Sequence, residues 1–545
     1  MIRPGTARAR WALPALPALW ALRAFLGATP PAQAQDTDKA QDTDKDQPPE
    51  RPSEADIFGP PAGSPSPTAD APTALPASPA PPGEQAPPPG DAPASGRDEA
   101  ILGAGSRLEL STDIAPEDPL RLGGFFYLRG QSSARQDQNP QDWALSAPSL
   151  LDVFLDARPN DRVRGFVLGR MVFDPTLPEA EAATPGLGDP TTGDTTMGVG
   201  ELASLLSRRD RGPRVALDQL WIRFDLLYRV FVTAGKQHVR WGTGRFWSPG
   251  DFLHQRPRNP LDLFDARTGT TMLKLHVPWE ALGWNFYAYG LLEDREATPT
   301  LSEASAAARA EIVLGTTELG AGALVKGNQS PRVELDLSTA LWELDLHGEI
   351  ALRAGSEIDR VTYRPENLAT ASPANFVDTV YPVTRRSGAK AQVVAGASYA
   401  RLYNDNDVLN VGAEYFYNPL GYDSSDVYPG LLAPRADPLD EAATFFYLGR
   451  HYAAVFLNLP APYSWDYTTF TLSAVGNLSD RSFITRLDYG VDVLTHLRFE
   501  AFAAVHGGRR EGEFRLGLQN LTLGGMSFSL APMLLDVGVA LRMSI

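Results

Sequence analysis

In the segment "LWELDLHGEIALR", Leu341 to Arg353, Leu344, Leu346, Gly348, Ile350 and Leu352 share one phase of a two-residue repeat. Glu343, Asp345, His347 and Glu349 occupy the other. Successive side chains of a strand point to opposite faces, so the pattern predicts a strand with one apolar and one charged face. The alternation recurs. Val333, Leu335 and Leu337 stand against Glu334, Asp336 and Ser338, and Val163, Val167 and Met171 against Arg162, Arg164 and Arg170. Phe483, Leu487, Tyr489 and Val491 stand against Arg486 and Asp488, and Leu497, Phe499 and Ala501 against Arg498 and Glu500. A soluble sheet would press the apolar phase onto a core. A membrane barrel would turn it to lipid and enclose the charges.

Strand length and connection length separate the two. From residue 120 the pattern predicts eighteen strands: 120–131, 149–158, 162–173, 214–225, 227–235, 268–277, 282–292, 308–315, 318–326, 331–338, 343–353, 389–401, 406–417, 447–458, 464–476, 481–491, 494–505 and 534–545. Most run about 8–13 residues, long enough to cross hydrocarbon when tilted and longer than the usual five or six of a soluble strand. The connections alternate. Short ones include "PND", "YNDND" and 339–342; long ones are 132–148, 174–213, 236–267, 293–307, 354–388, 418–446 and 506–533. Two on the long side, 327–330 and 477–480, are short. Long loops on one side and tight turns on the other characterise outer-membrane barrels. The predicted fold class is therefore all-β: a transmembrane antiparallel up-and-down β-barrel of about 16–18 strands. An even strand number puts both mature termini in the periplasm. On this reading Leu344, Leu346, Ile350 and Leu352 face lipid. Arg162, Arg164, Arg170, Glu343, Asp345, His347, Glu349, Arg486, Asp488, Arg498 and Glu500 face a wet lumen.

The residues before the barrel differ in kind. A positive start, "RPGTARAR", precedes the apolar run "WALPALPALWAL" and the small-residue site Ala32-Gln33-Ala34. That arrangement predicts a secretory signal peptide over residues 1–34, cleaved after Ala34. Residues 35–119 are rich in Pro, Ala and Asp and bury too little apolar surface to offset chain entropy, which predicts a disordered periplasmic tether. Its apolar island, Ile57-Phe58-Gly59, is either chance or a docking peptide for a periplasmic partner. The barrel takes residues 120–545. No stretch of about 18 residues beyond the signal is apolar and uncharged, so membrane embedding has to be by strands. The chain has 545 residues, a formal charge of −17 and no cysteine. Disulfides and thiol metal sites are thereby excluded, and the acidic balance argues against a nucleic-acid partner.

Family resemblance enters at three places. In "LLDVGVALRMSI", Leu535, Val537, Val539, Leu541, Met543 and Ile545 alternate with Asp536, Gly538, Ala540, Arg542 and Ser544. This resembles the C-terminal strand by which the barrel-assembly machinery recognises outer-membrane proteins, with Ile545 where that family usually has phenylalanine. The run "GKQ…WG…P…NP" within 235–260 resembles a pattern in porin-like Gram-negative outer-membrane proteins. The segment 236–267 is the third long loop, and in this it resembles the constricting loop of general porins. Aromatic residues cluster near strand ends: Tyr415-Phe416-Tyr417, Phe445-Phe446-Tyr447, Tyr463, Trp465, Tyr467, Trp279 and Trp284. Interfacial belts are expected there, although core packing serves single residues equally well.

The third loop is also where charge departs from the rest. Lys236, Arg240, Arg245, Arg256, Arg258 and Arg267 stand against Asp251, Asp262 and Asp265, a balance of +3. Loop 418–446 has Asp423, Asp426, Asp437, Asp440 and Glu441 against Arg435, a balance of −4. Folded into the lumen, the third loop would narrow the pore and attract anions. Its candidate constriction and selectivity residues are Lys236, His238, Arg240, Arg245, Asp251, Arg256, Arg258 and Arg267. The competing reading is that the arginines pair with lumen carboxylates and only hold the loop. In loop 174–213, "GELASLLSRRD" predicts a short helix that packs as a lid or on the outer surface. H-E-x-x-H and G-x-S-x-G are both absent, so no enzyme activity, metal or cofactor is expected. The function expected is a porin-like channel in the Gram-negative outer membrane, passing small hydrophilic and in particular anionic solutes. Its partners would be outer-membrane lipid and lipopolysaccharide, the secretion and barrel-assembly machinery, and the solutes. A scaffold or adhesin with a plugged lumen, binding partners through its outer loops, is the alternative, and an outer-membrane hydrolase a third.

Overall fold

The computed structural model describes residues 119–176, 213–254, 257–261, 267–292, 304–326, 329–372, 375–403, 407–433, 444–523 and 526–544. The signal peptide, almost all of the tether with Ile57-Phe58-Gly59, the helix expected in loop 174–213, Arg256, Asp262, Asp265 and Ile545 lie outside the described residues.

Eighteen antiparallel strands form one closed ring. They are β1 (Leu120–Arg135), β2 (Ser149–Asn160), β3 (Val163–Phe173), β4 (Arg214–Leu226), β5 (Val230–Gln237), β6 (Thr270–Trp279), β7 (Trp284–Leu292), β8 (Ser305–Leu314) and β9 (Thr317–Lys326). The ring continues with β10 (Arg332–Leu341), β11 (Leu344–Ala354), β12 (Ala389–Leu402), β13 (Val408–Tyr417), β14 (His451–Pro460), β15 (Thr468–Asn477), β16 (Ser482–Leu494), β17 (Leu497–Gly508) and β18 (Met533–Ser544). Each pairs with its sequence neighbours. The seam is β1 against β18, with Phe125 opposite Ser544 and Ala134 opposite Leu535. Closure satisfies the backbone of every strand without a free edge, which hydrocarbon demands. All eighteen expected strands are present. The ring also carries a three-residue strand, Ala144–Ser146, beside β1. The long loops hold two small hairpins, Asp359–Val361 with Val383–Arg385 and Leu518–Leu523 with Met526–Leu530.

The partition of side chains is inverted relative to a soluble sheet. On β10 and β11, Val333, Leu335, Ile350 and Leu352 are exposed on the outside, while Glu334, Asp336 and Glu349 are buried within the ring. Outward exposure of Val153, Leu155, Leu220, Ile222, Leu273, Leu275, Val455, Leu472, Leu487, Val539 and Leu541 continues the band around the barrel. Leucine keeps this apolar surface cheap only against lipid, because an uninterrupted patch of that size in water would drive association.

Tight connections fall at one rim: 161–162, 227–229, 280–283, 315–316, 342–343, 403–407, 461–467 and 495–496. Exposed aromatics gather there. Tyr228, Trp279, Trp342, Tyr463, Trp465 and Tyr467 are each at least half exposed, as expected of rings seated at a membrane–water boundary. The other expected belt is different. Phe416, Phe445 and Phe446 are buried, because they point inward beneath the long loops and pack with Trp247, Tyr452 and Phe514. The sequence signal, aromatics near strand ends, is shared by outward belts and inward packing. The phase of the strand decides between them.

Candidate functional site

In the connection between β5 and β6, residues 238–254 turn into the ring and lie against the inner faces of β9 to β14. Its apolar residues explain why. Trp241, Phe246, Trp247, Phe252 and Leu253 are all buried. Trp247 stacks on Phe416 at 5.5 Å between centroids and meets Tyr452 at 5.5 Å, while its Nε1 donates to Phe446 O at 3.0 Å. Trp241 meets Tyr289 edge-on at 5.6 Å. Burying indole and phenyl surface against the wall supplies the drive; charge-assisted hydrogen bonds fix the register.

Those hydrogen bonds run from loop backbone to wall carboxylates. Glu414 on β13 accepts three consecutive amides, from Arg245 N at 2.7 Å, Phe246 N at 3.1 Å and Trp247 N at 2.9 Å. Its Oε2 also meets His347 Nε2 of β11 at 3.0 Å. Glu349 on β11 accepts from Gly250 N. Two glycines are required by this approach. Gly242 has φ +87°, and a Cβ on it would run into the Glu349 carboxylate. A Cβ on Gly250 would run into Glu334 and Glu349 together. On the wall, Arg309 of β8 answers the neighbouring carboxylates, pairing with Glu334, with Asp336 at 2.7 Å and with Glu311 at 2.9 Å.

A second set of polar contacts ties the opposite flank of the loop to β2, β3 and β4. Asp152 pairs with Arg170 at 2.8 Å, Arg170 reaches Asp218 at 3.4 Å, and Asp218 meets His238 Nε2 at 3.0 Å. His238 Nδ1 faces His254 Nε2 at 3.4 Å, and His254 Nδ1 meets Asp251 at 2.9 Å. Arg267 closes the run on Asp251 at 2.9 Å. Burial pushes the Asp251 carboxyl up, but His254 and Arg267 beside it outweigh that and hold it below its ordinary value.

The expected site residues therefore divide. His238 and Asp251 belong to the polar run, with Arg267. Arg240 Nη2 donates to Gly244 O, and the Arg245 guanidinium lies 3.7 Å over the Phe456 ring. The Arg258 carbonyl accepts from Tyr447 Oη at 3.3 Å. Lys236 is a correction: it pairs with the outward-exposed Leu220, so the two-residue period turns it away from the lumen. Among the expected lumen residues, Arg164 pairs with Asp156, Arg170 with Asp152, Arg486 with Asp488, and Arg498 with Asp492 and Glu500. Asp345 takes the inward phase, opposite Ser398. Arg162 and Glu343 are displaced to the short-turn rim. Arg162 is half exposed and bonds Asp225 at 3.0 Å. Glu343 accepts from Tyr399 at 3.0 Å, and Tyr399 pairs with outward Leu344. Both residues lie in turns, where the strand period no longer applies.

Sequence reasoning did not single out Glu414, Asp218, Asp152, Arg309 or His254. The signal for Glu414 was its setting: one carboxylate on the inward phase of "GAEYFY", directly before three aromatic residues.

No family model matches this chain, and no curated protein matches it. Among solved structures it is similar to Acinetobacter baumannii OccAB3, with TM-score 0.42 and 8% identity over 78% of this chain and 99% of that one. Pseudomonas aeruginosa OccK9 (OpdG) gives 0.44 and 9% over 78% and 98%. P. aeruginosa OccK2 (OpdF), in complex with glucuronate, gives 0.42 and 10% over 78% and 98%.

Proposed function

We propose that this chain is a porin-like channel of the Gram-negative outer membrane, in which the loop 238–269 is the constriction and small hydrophilic, anionic solutes are the cargo. The observation that carries the reading is the inward loop itself. A ring of eighteen strands is wide enough to leave an aqueous channel, and a loop turned into it narrows the passage. The polar inner wall supports the same reading, since a lumen designed to be dry would not carry Arg164, Arg170, Asp345, Arg486 and Arg498.

Arg240 and Arg245 are the proposed anion-facing groups. The Arg245 guanidinium lies over the Phe456 ring, a position from which a guanidinium still offers donors to a carboxylate or phosphate. Arg267 has a different part: Asp251 neutralises it, so it holds the loop. The long loops would lie outside the cell and the tight-turn rim in the periplasm, and the tether would start from that rim. Lipid and lipopolysaccharide would surround the apolar band.

Planar-bilayer recording of purified, refolded protein tests the reading. Stepwise conductance with a reversal potential displaced toward the anion is expected, and R240A and R245A should each move the reversal potential toward zero. Silent bilayers would replace the channel with a plugged scaffold. A cation-directed potential unaffected by either substitution would remove anion selectivity.

A further inference from the structure

We propose that His238 and His254 form a proton-operated catch that fastens the flank of the constriction loop facing β2 to β4 when the pair carries one shared positive charge, and releases that flank when a proton is added or removed. The idea that the released loop alters flow rests on the channel reading above; the catch itself does not.

The argument is a count of protons. Four ring nitrogens make three polar contacts: His238 Nε2 with Asp218, His254 Nδ1 with Asp251, and His238 Nδ1 with His254 Nε2, the last of which uses two of the four nitrogens. A carboxylate accepts, so both outer nitrogens must carry hydrogen. The inner contact then needs one hydrogen between two nitrogens. Three protons on four nitrogens make the pair a single cation. With four, two imidazolium rings oppose each other at 3.4 Å. With two, either two lone pairs oppose or one ring turns its tautomer and gives up a carboxylate.

Among the described residues, the hydrogen-bonded run holds Asp152 from β2, Arg170 from β3, Asp218 from β4, and Asp251 and Arg267 from the loop, and Glu334 of β10 lies within electrostatic reach of Asp251. The run's own three carboxylates and two guanidinium groups are balanced by one proton on the histidine pair. Adding or removing a proton leaves the enclosed run charged, and such charge is costly away from bulk water. The rings lie nearly parallel, with centroids 5.7 Å apart, so a small rotation of either breaks the contact. The position matters because His254 and Asp251 belong to the loop, whereas Asp218 belongs to the wall. Among the described residues, the His–His contact is the link in the run that joins His238, on the wall side of the loop, to the tip, which Thr270 of β6 also holds by donating from Oγ1 to Leu253 O at 2.9 Å. Imidazole is the side chain whose ordinary protonation falls in the range outer-membrane proteins meet.

The signature is a bell. A structural histidine protonated once would give a single sigmoid instead. Because the chain has no cysteine, paired labels are readily introduced. Spin labels at Pro257→Cys on the loop and Asp142→Cys at the long-loop rim, in reconstituted full-length protein, report loop position between pH 5 and 9. The distance distribution is expected to be narrowest at an intermediate pH and broader on both sides. H254Q and H238Q should each abolish the bell, and H276Q, which alters a histidine remote from the run, should preserve it. A distribution constant across that range overturns the catch, as does a bell that persists in both H254Q and H238Q. Conductance on the same preparation separates the two proposals. Loop movement in silent bilayers defeats the channel and leaves the catch; conductance with an immobile loop defeats the catch alone.

Discussion

Glu349 and Ile350 are consecutive on β11 and inhabit opposite surroundings: Glu349 is 1% exposed beneath the inward loop, and Ile350 is 44% exposed on the outside of the ring. In a soluble protein this pair would be reversed. Ile350→Arg is therefore expected to destabilise the folded barrel in lipid vesicles by about 2–4 kcal/mol, the cost of a cation on a lipid face near the midplane. Leu335→Arg, opposite Ile350 on β10, should behave alike. Urea titration of vesicle-embedded protein measures both, and a loss below about 0.5 kcal/mol, as at an ordinary surface site, would refute the lipid assignment.

Glu414 holds three backbone amides. Glu414→Gln leaves an acceptor of similar shape but no charge, so it weakens three charge-assisted bonds together. A loss of about 2–4 kcal/mol in loop attachment follows, within the range for hydrogen bonds to charged groups. The strand itself should survive, because its ladder to β12 and β14 does not involve the side chain. The measurement is the rate of proteolytic cleavage inside 238–254, expected to rise at least about tenfold, which corresponds to 1.4 kcal/mol.

Gly250→Ala asks for less chemistry and more space. The added methyl would enter the volume of the Glu334 and Glu349 carboxylates, and neither can withdraw while Arg309 and the loop hold them. The loop is expected to lift, with larger single-channel conductance and more open-state noise than wild type. Ala at Gly283, where a Cβ meets nothing, strains only a turn and should leave conductance unchanged.

The long loops carry a pH dependence of their own. Glu513 is buried beside Asp480 and accepts from Tyr452 Oη at 2.6 Å, Asn477 Nδ2 at 2.8 Å and Phe446 N at 2.5 Å. Burial, and then the Asp480 carboxylate, push it up to about 8. A raised acid favours the folded state in its protonated form. No penalty exists below the ordinary carboxylate value. It accumulates as pH rises from there and is complete above about 8. Hydrogen exchange of 509–517, corrected for intrinsic rate, should accelerate as pH rises from the ordinary carboxylate value to about 8, and Glu513→Gln should remove that acceleration. Slower exchange on raising pH would reverse the sign and reject the account.

Much of the architecture was legible because the strand period and the bilayer impose one rule on every residue. Leu335, Leu337, Ile350 and Leu352 could be oriented without knowing their neighbours. The rule lapses where the backbone leaves the ladder. Arg162 and Glu343 share the phase of lumen residues but sit in turns, and Lys236 was grouped with the loop although it still belongs to the strand. The inward loop was half legible: its glycines, indoles and positive balance marked it as unusual. Its anchors were not legible, because Glu414 and Glu349 lie on strands far from the loop in sequence and Asp218 lies across the preceding hairpin. Their partners are mostly backbone amides and histidines, which carry no charge signal. Only tertiary proximity reveals why those carboxylates are inside.

The seam between β1 and β18 gives the ring an all-or-nothing character. Phe125 and Ser544 meet across more than four hundred residues, and until they do, both terminal strands present bare amides and carbonyls. A cut that removes either strand exposes two such borders at once, on the remaining neighbour as well as at the site of loss. Partial versions of this molecule are therefore expected to stick to one another rather than to insert, and assembly must shelter the unfinished sheet until its two extremities find each other.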